Sequence, residues 1–169
     1  MQDDYDSLFA FNQWANTRML DACRKLTSEQ YAAEPFPGWS SVRFTVWHIA
    51  VVTEVWGRML ADDPDRSFLT EAEVPTVDEA AHLLEQASRT FDSILPKLTP
   101  EQLTTPRTFI GPGWTVVVQP WVVLRHVVNH TTYHRGQVAS KLKRFGIQQL
   151  VTDLVFWASE KVGCRLTLL

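Results

Sequence analysis

Apolar and polar residues alternate along this chain mainly with helical periods. From about Asp4 to Leu26, apolar positions recur at Leu8, Phe11, Ala15, Met19, Ala22 and Leu26, steps of three and four that mark an amphipathic helix. The run "PFPG", Pro35 to Gly38, breaks the pattern, because two prolines and a glycine cannot continue a helix. A second helix is expected to begin at Ser40 or Ser41, either a good N-cap, and to run to about Ala61. Its charged residues, Arg43, Glu54 and Arg58, fall on one narrow strip, with Glu54 and Arg58 paired at i, i+4. The rest of its surface is mainly Val, Ile, Trp, Phe and Met, so this helix is expected to be mostly buried.

The capping-box sequence "TVDE", Thr76 to Glu79, opens a third helix. Val77, Ala80, Ala81, Leu84, Ala87, Phe91 and Leu95 keep the helical spacing, and Pro96 ends it. Residues 99–119 are rich in Thr, Pro and Gly and read as a long connection with one β-prone run, Thr115 to Val118. Pro120 suits the first turn of a fourth helix that ends near Phe145, with Gly146 as its stop. Lys141, Lys143 and Arg144 in its last turns complement the helix dipole. A shorter apolar segment, Asp153 to Val162, reads as a fifth helix. The pattern predicts an all-α protein, a four-helix bundle with a short additional C-terminal helix, as one domain over residues 1–169. Such bundles commonly set metals on inward-facing side chains of different helices.

Composition narrows the function classes. Apolar residues make up 45% and charged residues 21%, ordinary for a soluble globular chain. Seven tryptophans point to large aromatic surfaces in the core. With a net charge of −3 and scattered Lys and Arg, the chain lacks the basic stripe that nucleic-acid binding needs. The acidic start "MQDDYDSLFA" is unlike a signal peptide, and no run approaches the roughly 18 apolar residues of a membrane span. Cys23 and Cys164 suggest neither a disulfide framework nor a cysteine-rich zinc site, so a reduced, cytoplasmic location is expected.

The stretch "RHVVNHTTYHRGQV", Arg125 to Val138, carries the chemistry. It stacks His126, His130 and His134 along one side of a helix, one turn apart. Adjacent members are separated by about 6 Å of helix rise and the outer pair by about 12 Å. A pair at i, i+4 converges on one ion at metal–nitrogen distances of about 2.1 Å, whereas the outer pair shares an ion only under strain. One adjacent pair is therefore the expected chelate, with a third ligand from another helix. His82 lies one residue outside the apolar set of its helix and reads as a solvated surface group. His48 is turned roughly 120° or more from Arg43 and Glu54 and about 80° from Arg58, away from the solvent strip. Such a histidine needs a partner. Either a core hydrogen bond or a shared ion supplies one.

Three stretches carry a family resemblance. "HVVNHTTYHRGQV" resembles the signature of the DinB family (DinB/YfiT-like metalloenzymes), in which an H-x-x-x-H-R-G-Q run closes the last long helix. "FNQWANTRML", Phe11 to Leu20, is similar to that family's N-x-W-x-N pattern, and "SSVRFTVWHIAVVTEVW", Ser40 to Trp56, to its second-helix stretch around a single histidine. The resemblance implies a four-helix bundle holding a divalent ion on three histidines, which here fall on His48, His130 and His134. It does not settle His126, which reads as a supporting donor, a core histidine or an alternative ligand and is left outside the site.

Three protein ligands leave open positions on the ion, the arrangement of a catalytic site. Imidazole ligands suit zinc, nickel, iron(II) or copper alike. Gln137, on the face of His134, is a weak catalytic candidate, able to bond a metal-held water or substrate or to make an interior contact. Arg135 reads as a structural salt bridge and Tyr133 as packing. Gly136, costly inside a helix, forms a ridge of small residues with Asn129, Thr132 and Ser140. That ridge predicts close approach of another helix, within the bundle or across a homodimer. Asp153 reads as an N-cap, Asn12, Trp14 and Asn16 as ties of the first helix, and neither cysteine as a nucleophile. Relatives in the family include enzymes that use a low-molecular-weight thiol, such as bacillithiol or mycothiol, and hydrolases. The function expected is thiol-dependent S-transfer to a small electrophile. The alternatives are metal-dependent hydrolysis and a non-catalytic, stress-related metal-binding protein.

Overall fold

A computed structural model describes residues 2–65, 67–148, 150–161 and 163. Its elements in chain order are α1 (Gln2–Cys23), α2 (Ser28–Ala32), α3 (Val42–Leu60), α4 (Val77–Ile94), α5 (Pro100–Thr104), β1 (Arg107–Gly111), β2 (Trp114–Val118), α6 (Pro120–Arg144) and α7 (Leu154–Lys161). The four long helices α1, α3, α4 and α6 form the expected bundle. Val162, the expected end of the fifth helix, and Cys164 lie outside the described residues. No helix among the described residues is long and apolar enough to cross a membrane.

Around the bundle, α3 packs on α4 and α6, and α1 packs on the same two helices. Consequently α1 sits diagonally from α3, and α4 diagonally from α6. Both the α1–α3 and α4–α6 connections cross an end of the bundle, which is why they are long. Each carries structure that helical periodicity could not reveal. α1 stops at Cys23 rather than Leu26, because Thr27 opens a new helix with a capping box: Gln30 N–H donates to Thr27 Oγ1 at 3.2 Å and Thr27 N–H to Gln30 Oε1 at 3.0 Å. Thr99 and Gln102 do the same for α5.

The segment 99–119 is therefore not a plain connection. After α5 it forms an antiparallel hairpin in register from Arg107↔Val118 to Gly111↔Trp114. The turn is Pro112–Gly113, with Gly113 at φ 75°, the residue order a type II turn favours. Arg107 pins the hairpin to α3, donating to the C-terminal carbonyls of Met59 and Leu60, both at 3.3 Å, and pairing with Asp62.

The helix ends follow local chemistry. Ser41 caps α3 by accepting from Phe44 N–H at 2.9 Å, Thr76 and Glu79 form the expected box on α4, and Gly146 at φ 79° lets the chain leave α6. Met19, Ile49, Phe91, Leu124 and Leu142, one or more from each long helix, are almost wholly enclosed. The expected Glu54–Arg58 pair is present at 2.5 Å, and Arg58 also reaches the carbonyls of Asp65 and Ser67. The small-residue ridge corrects one expectation. Asn129, Thr132, Gly136 and Ser140 are exposed, and a methyl group on Gly136 would meet nothing within 4 Å, so no helix of the bundle approaches there.

Candidate metal centre

The facing sides of α3 and α6 bring His48 to His130 and His134. Lys141, two turns beyond His134, helps set this register. It lies in the last turn of α6, as expected, and its side chain is buried rather than solvated. Its ammonium donates to Ser40 Oγ (2.8 Å), Ser41 O (3.2 Å) and Thr45 Oγ1 (2.5 Å), tying the end of α6 to the start of α3, and burial lowers its pKa.

One nitrogen from each of His48, His130 and His134 lies within 4.8 Å of the others, and all three rings are half-buried. His48 Nε2 and His130 Nε2 are 3.1 Å apart. Two ligands on a tetrahedral ion with bonds of about 2.1 Å stand about 3.4 Å from each other, so this spacing fits a shared cation with little movement. His134 Nδ1 donates to Gln137 Oε1 at 2.8 Å, which leaves Nε2 for the cluster. His130 Nδ1 is buried without a partner. Desolvation, and then the neighbouring His134, lower the pKa of His48; the same causes, joined by His48 and His126, push His130 down to about 3. Neutral imidazoles are the form that binds a cation.

Of the other residues singled out in the sequence, His126 is not brought into the cluster. Its ring lies 5.3 Å from that of His130 and 5.6 Å from that of Trp56, and partial desolvation lowers its pKa. His82 is exposed, as expected. Tyr133 does not pack in the core: it is 65% exposed, with its ring edge-on to His134 at 5.0 Å. Asp153 lies just before α7, and its carbonyl accepts from Trp157 N–H at 3.4 Å. Cys23 is buried, and desolvation pushes its thiol up to about 12, far from a nucleophile.

Arg135 corrects another expectation, since no carboxylate meets it among the described residues. Only 1% exposed, it donates from Nη1 to Asn12 Oδ1 (2.7 Å) and Asn16 Oδ1 (2.8 Å), and from Nη2 to Thr132 Oγ1 (2.7 Å). Burial lowers its pKa to about 10. Asn12 and Asn16 thus tie α1 into the bundle, as expected, whereas Trp14 reaches α7 by donating to Glu160 at 3.1 Å.

Two cavities flank the histidines along α6. Toward its start lies an aromatic cavity of about 360 Å³, walled by Trp47, Trp56, Phe68 and Trp114 with His48, His126 and His130 at its edge. Toward its end lies a more open cavity of about 350 Å³, lined by Gly38, Trp39, Ser40, Gln137 and Lys141; none of these is a histidine, and Gln137 links it to His134. The sequence reading missed the tryptophans as site residues. The signal for Trp114 was the "GPGW" turn, which only a hairpin assignment would have placed beside α3.

A family model described as the DinB family matches residues 1–161. The chain belongs to the DinB family. It is 26% identical over 162 residues to "Protein DinB" of Bacillus subtilis, covering 90% of this chain and 92% of that protein. Among solved structures, this DinB-family chain is similar to YfiT from Bacillus subtilis, described as "a probable metal-dependent hydrolase with an unusual four-helix bundle topology": TM-score 0.68, 16% identity, 86% of this chain and 90% of that one. It is similar also to a DinB-like protein from Bacillus cereus, at TM-score 0.60 and 22% identity over 86% of this chain and 93% of that one. At these identities the structural likeness establishes the fold, a four-helix bundle of the DinB type.

Proposed function

We propose that this DinB-family chain is a divalent-metal-dependent enzyme whose ion is held by His48, His130 and His134, and that it transfers a low-molecular-weight thiol to a small electrophile. The pair of cavities flanking the histidines carries the choice of group transfer. A transfer brings two molecules to one centre, whereas hydrolysis needs room for one and a water. A divalent ion held there would lower the pKa of a thiol so that the nucleophilic thiolate is present at neutral pH. In such a transfer sulfur would form the new bond to carbon, the leaving group would depart with its electron pair, and the thiol proton would pass to solvent. The chain's part is placement. Gln137 fixes the His134 ring, and Ser40 and the amide N–H groups of Gln137 offer polar contacts to a hydrophilic thiol. The aromatic cavity takes the electrophile.

Metal-dependent hydrolysis is the second reading, favoured by the description given to YfiT. Metal analysis of protein purified without a histidine tag, beside a His48→Ala variant, tests the site. Near-stoichiometric metal that the substitution abolishes supports it, and metal-free protein in both samples overturns it. Turnover of an electrophile only with added thiol, and lost to a chelator, supports transfer. Turnover with water alone supports hydrolysis. Bound metal with no turnover leaves a metal-binding protein. The exposed, unfilled ridge around Gly136 supports a homodimer, and a monomer in sedimentation would overturn that assignment.

A further inference from the structure

The wall of the aromatic cavity says what it can hold. Trp56 comes from α3, Trp114 from the hairpin, and their rings lie 5.6 Å apart at 37°. Trp47 is fixed by its indole N–H, which donates to Leu69 O at 2.9 Å. Trp114 is fixed by an absence: its indole lies across Gly111, where any Cβ would collide with the ring. Glycine at that position is thus a condition for Trp114 to fold back over the hairpin toward α3. Among the described residues, no Lys, Arg, Asp or Glu lines the cavity. His126 is the ionisable group there that is not proposed as a metal ligand, and its one ring contact on the far side from His130 is with Trp56.

We infer that this cavity binds an uncharged, apolar small molecule, aromatic or branched aliphatic, with its flat body against Trp56 and Trp114. One polar group of the ligand is hydrogen-bonded by His126. An anionic body finds no cation among the described wall residues, and a cationic one gains ring contacts but faces the positive ion proposed at His48 and His130. A volume of about 360 Å³ is near the lower end of the range for sites that enclose small organic ligands. The inference rests on the metal reading only for the direction in which the reactive end points. The choice of an apolar body rests on the walls.

Nitroaromatic compounds quench indoles they lie against, so tryptophan fluorescence reports occupancy. The probes are 4-nitrobenzyl alcohol, 4-nitrotoluene, which lacks the hydroxyl, and the 4-nitrobenzyltrimethylammonium cation, with metal content measured on the same samples. The alcohol is expected to saturate the protein and to bind more tightly than the cation. Trp114→Ala should weaken it about tenfold, the scale of one aromatic stacking contact. Gly111→Ala, by displacing the same ring, should do likewise. Val52→Trp, which fills the cavity from α3, should abolish the quench in protein whose helical circular dichroism is unchanged, and so keeps the test sound if the hairpin variants unfold. His126→Phe should weaken the alcohol about threefold to tenfold and leave 4-nitrotoluene unaltered. Tighter binding of the cation, or quenching indifferent to both Trp114→Ala and Val52→Trp, would overturn the inference. Metal lost from His48→Ala protein that still binds the alcohol supports the cavity assignment even where the proposed reaction fails.

Discussion

His134 and Arg135 are adjacent in the chain and meet different helices, one facing α3 and the other α1. Arg135 is 1% exposed, and its hydrogen-bond partners Asn12 and Asn16 are 4% and 5% exposed. The histidine cluster is half-buried, holds an Nε2···Nε2 contact, and borders the aromatic cavity through His48 and His130. Both are groups of polar side chains within a helical bundle. In the first, fixed protein oxygens receive the charge and position is the product. In the second, three nitrogens converge with little to bind except one another, the signature of a site that waits for something from outside. Buried polar groups are costly when unpaired, so the first arrangement holds α1 in place, while the second is stable chiefly once filled.

The contrast can be broken experimentally. His48→Ala should have the largest effect, reducing bound metal to background with the helical fold retained; metal bound as before would remove His48 from the site. Arg135→Ala removes three hydrogen bonds and opens a void, and should cost about 3–5 kcal/mol of stability. At about 2–4 °C per kcal/mol, calorimetry should show a clearly lower melting temperature, with metal stoichiometry intact below it. If stability held and metal vanished, the division between the two faces would be wrong. Gln137→Leu frees the His134 ring and should weaken metal affinity about 10- to 100-fold, with little change in the melting point of metal-free protein. Equal affinities in a competition titration against a chelator would show that Gln137 does not orient His134. The smallest effect is expected at Gly136→Ala, where the added methyl meets nothing within one chain. It should stabilise the monomer by about 0.4–1 kcal/mol without touching metal content, and a weakened dimer in sedimentation would place this face at the proposed homodimer contact.

Long-range periodicity made the four main helices legible, because each presents several turns of apolar residues. The short pieces were not legible by that route. α2 and α5 span five residues each, too few for a period, yet both are announced by capping boxes, "TSEQ" at Thr27 and "TPEQ" at Thr99. The hairpin hid because only its second strand is rich in Val, whereas "RTFIG" before it carries Arg, Thr and Gly. The face of α3 away from Arg43 and Glu54 singled out His48, and the four-residue spacing limited which partners it had. Spacing alone left open which adjacent pair on α6 would meet it. The resemblance chose His130 and His134, the pair that the structure brings to His48. Arg135 was misjudged because a charge suggests a countercharge; sequence cannot show that Asn12 and Asn16 from the opposite end of the chain supply two of its acceptors.

The hairpin from Arg107 to Val118 sits on a crossing connection, outside the four helices that support the histidines. A cavity wall placed there is replaceable in a way that a bundle helix is not. Exchanging this segment for another of similar length, with Arg107 kept as its anchor, offers a route to different ligands over an unchanged ion-binding frame. Diversity in such a scaffold would be written in its connections, and the helices would be its conserved grammar.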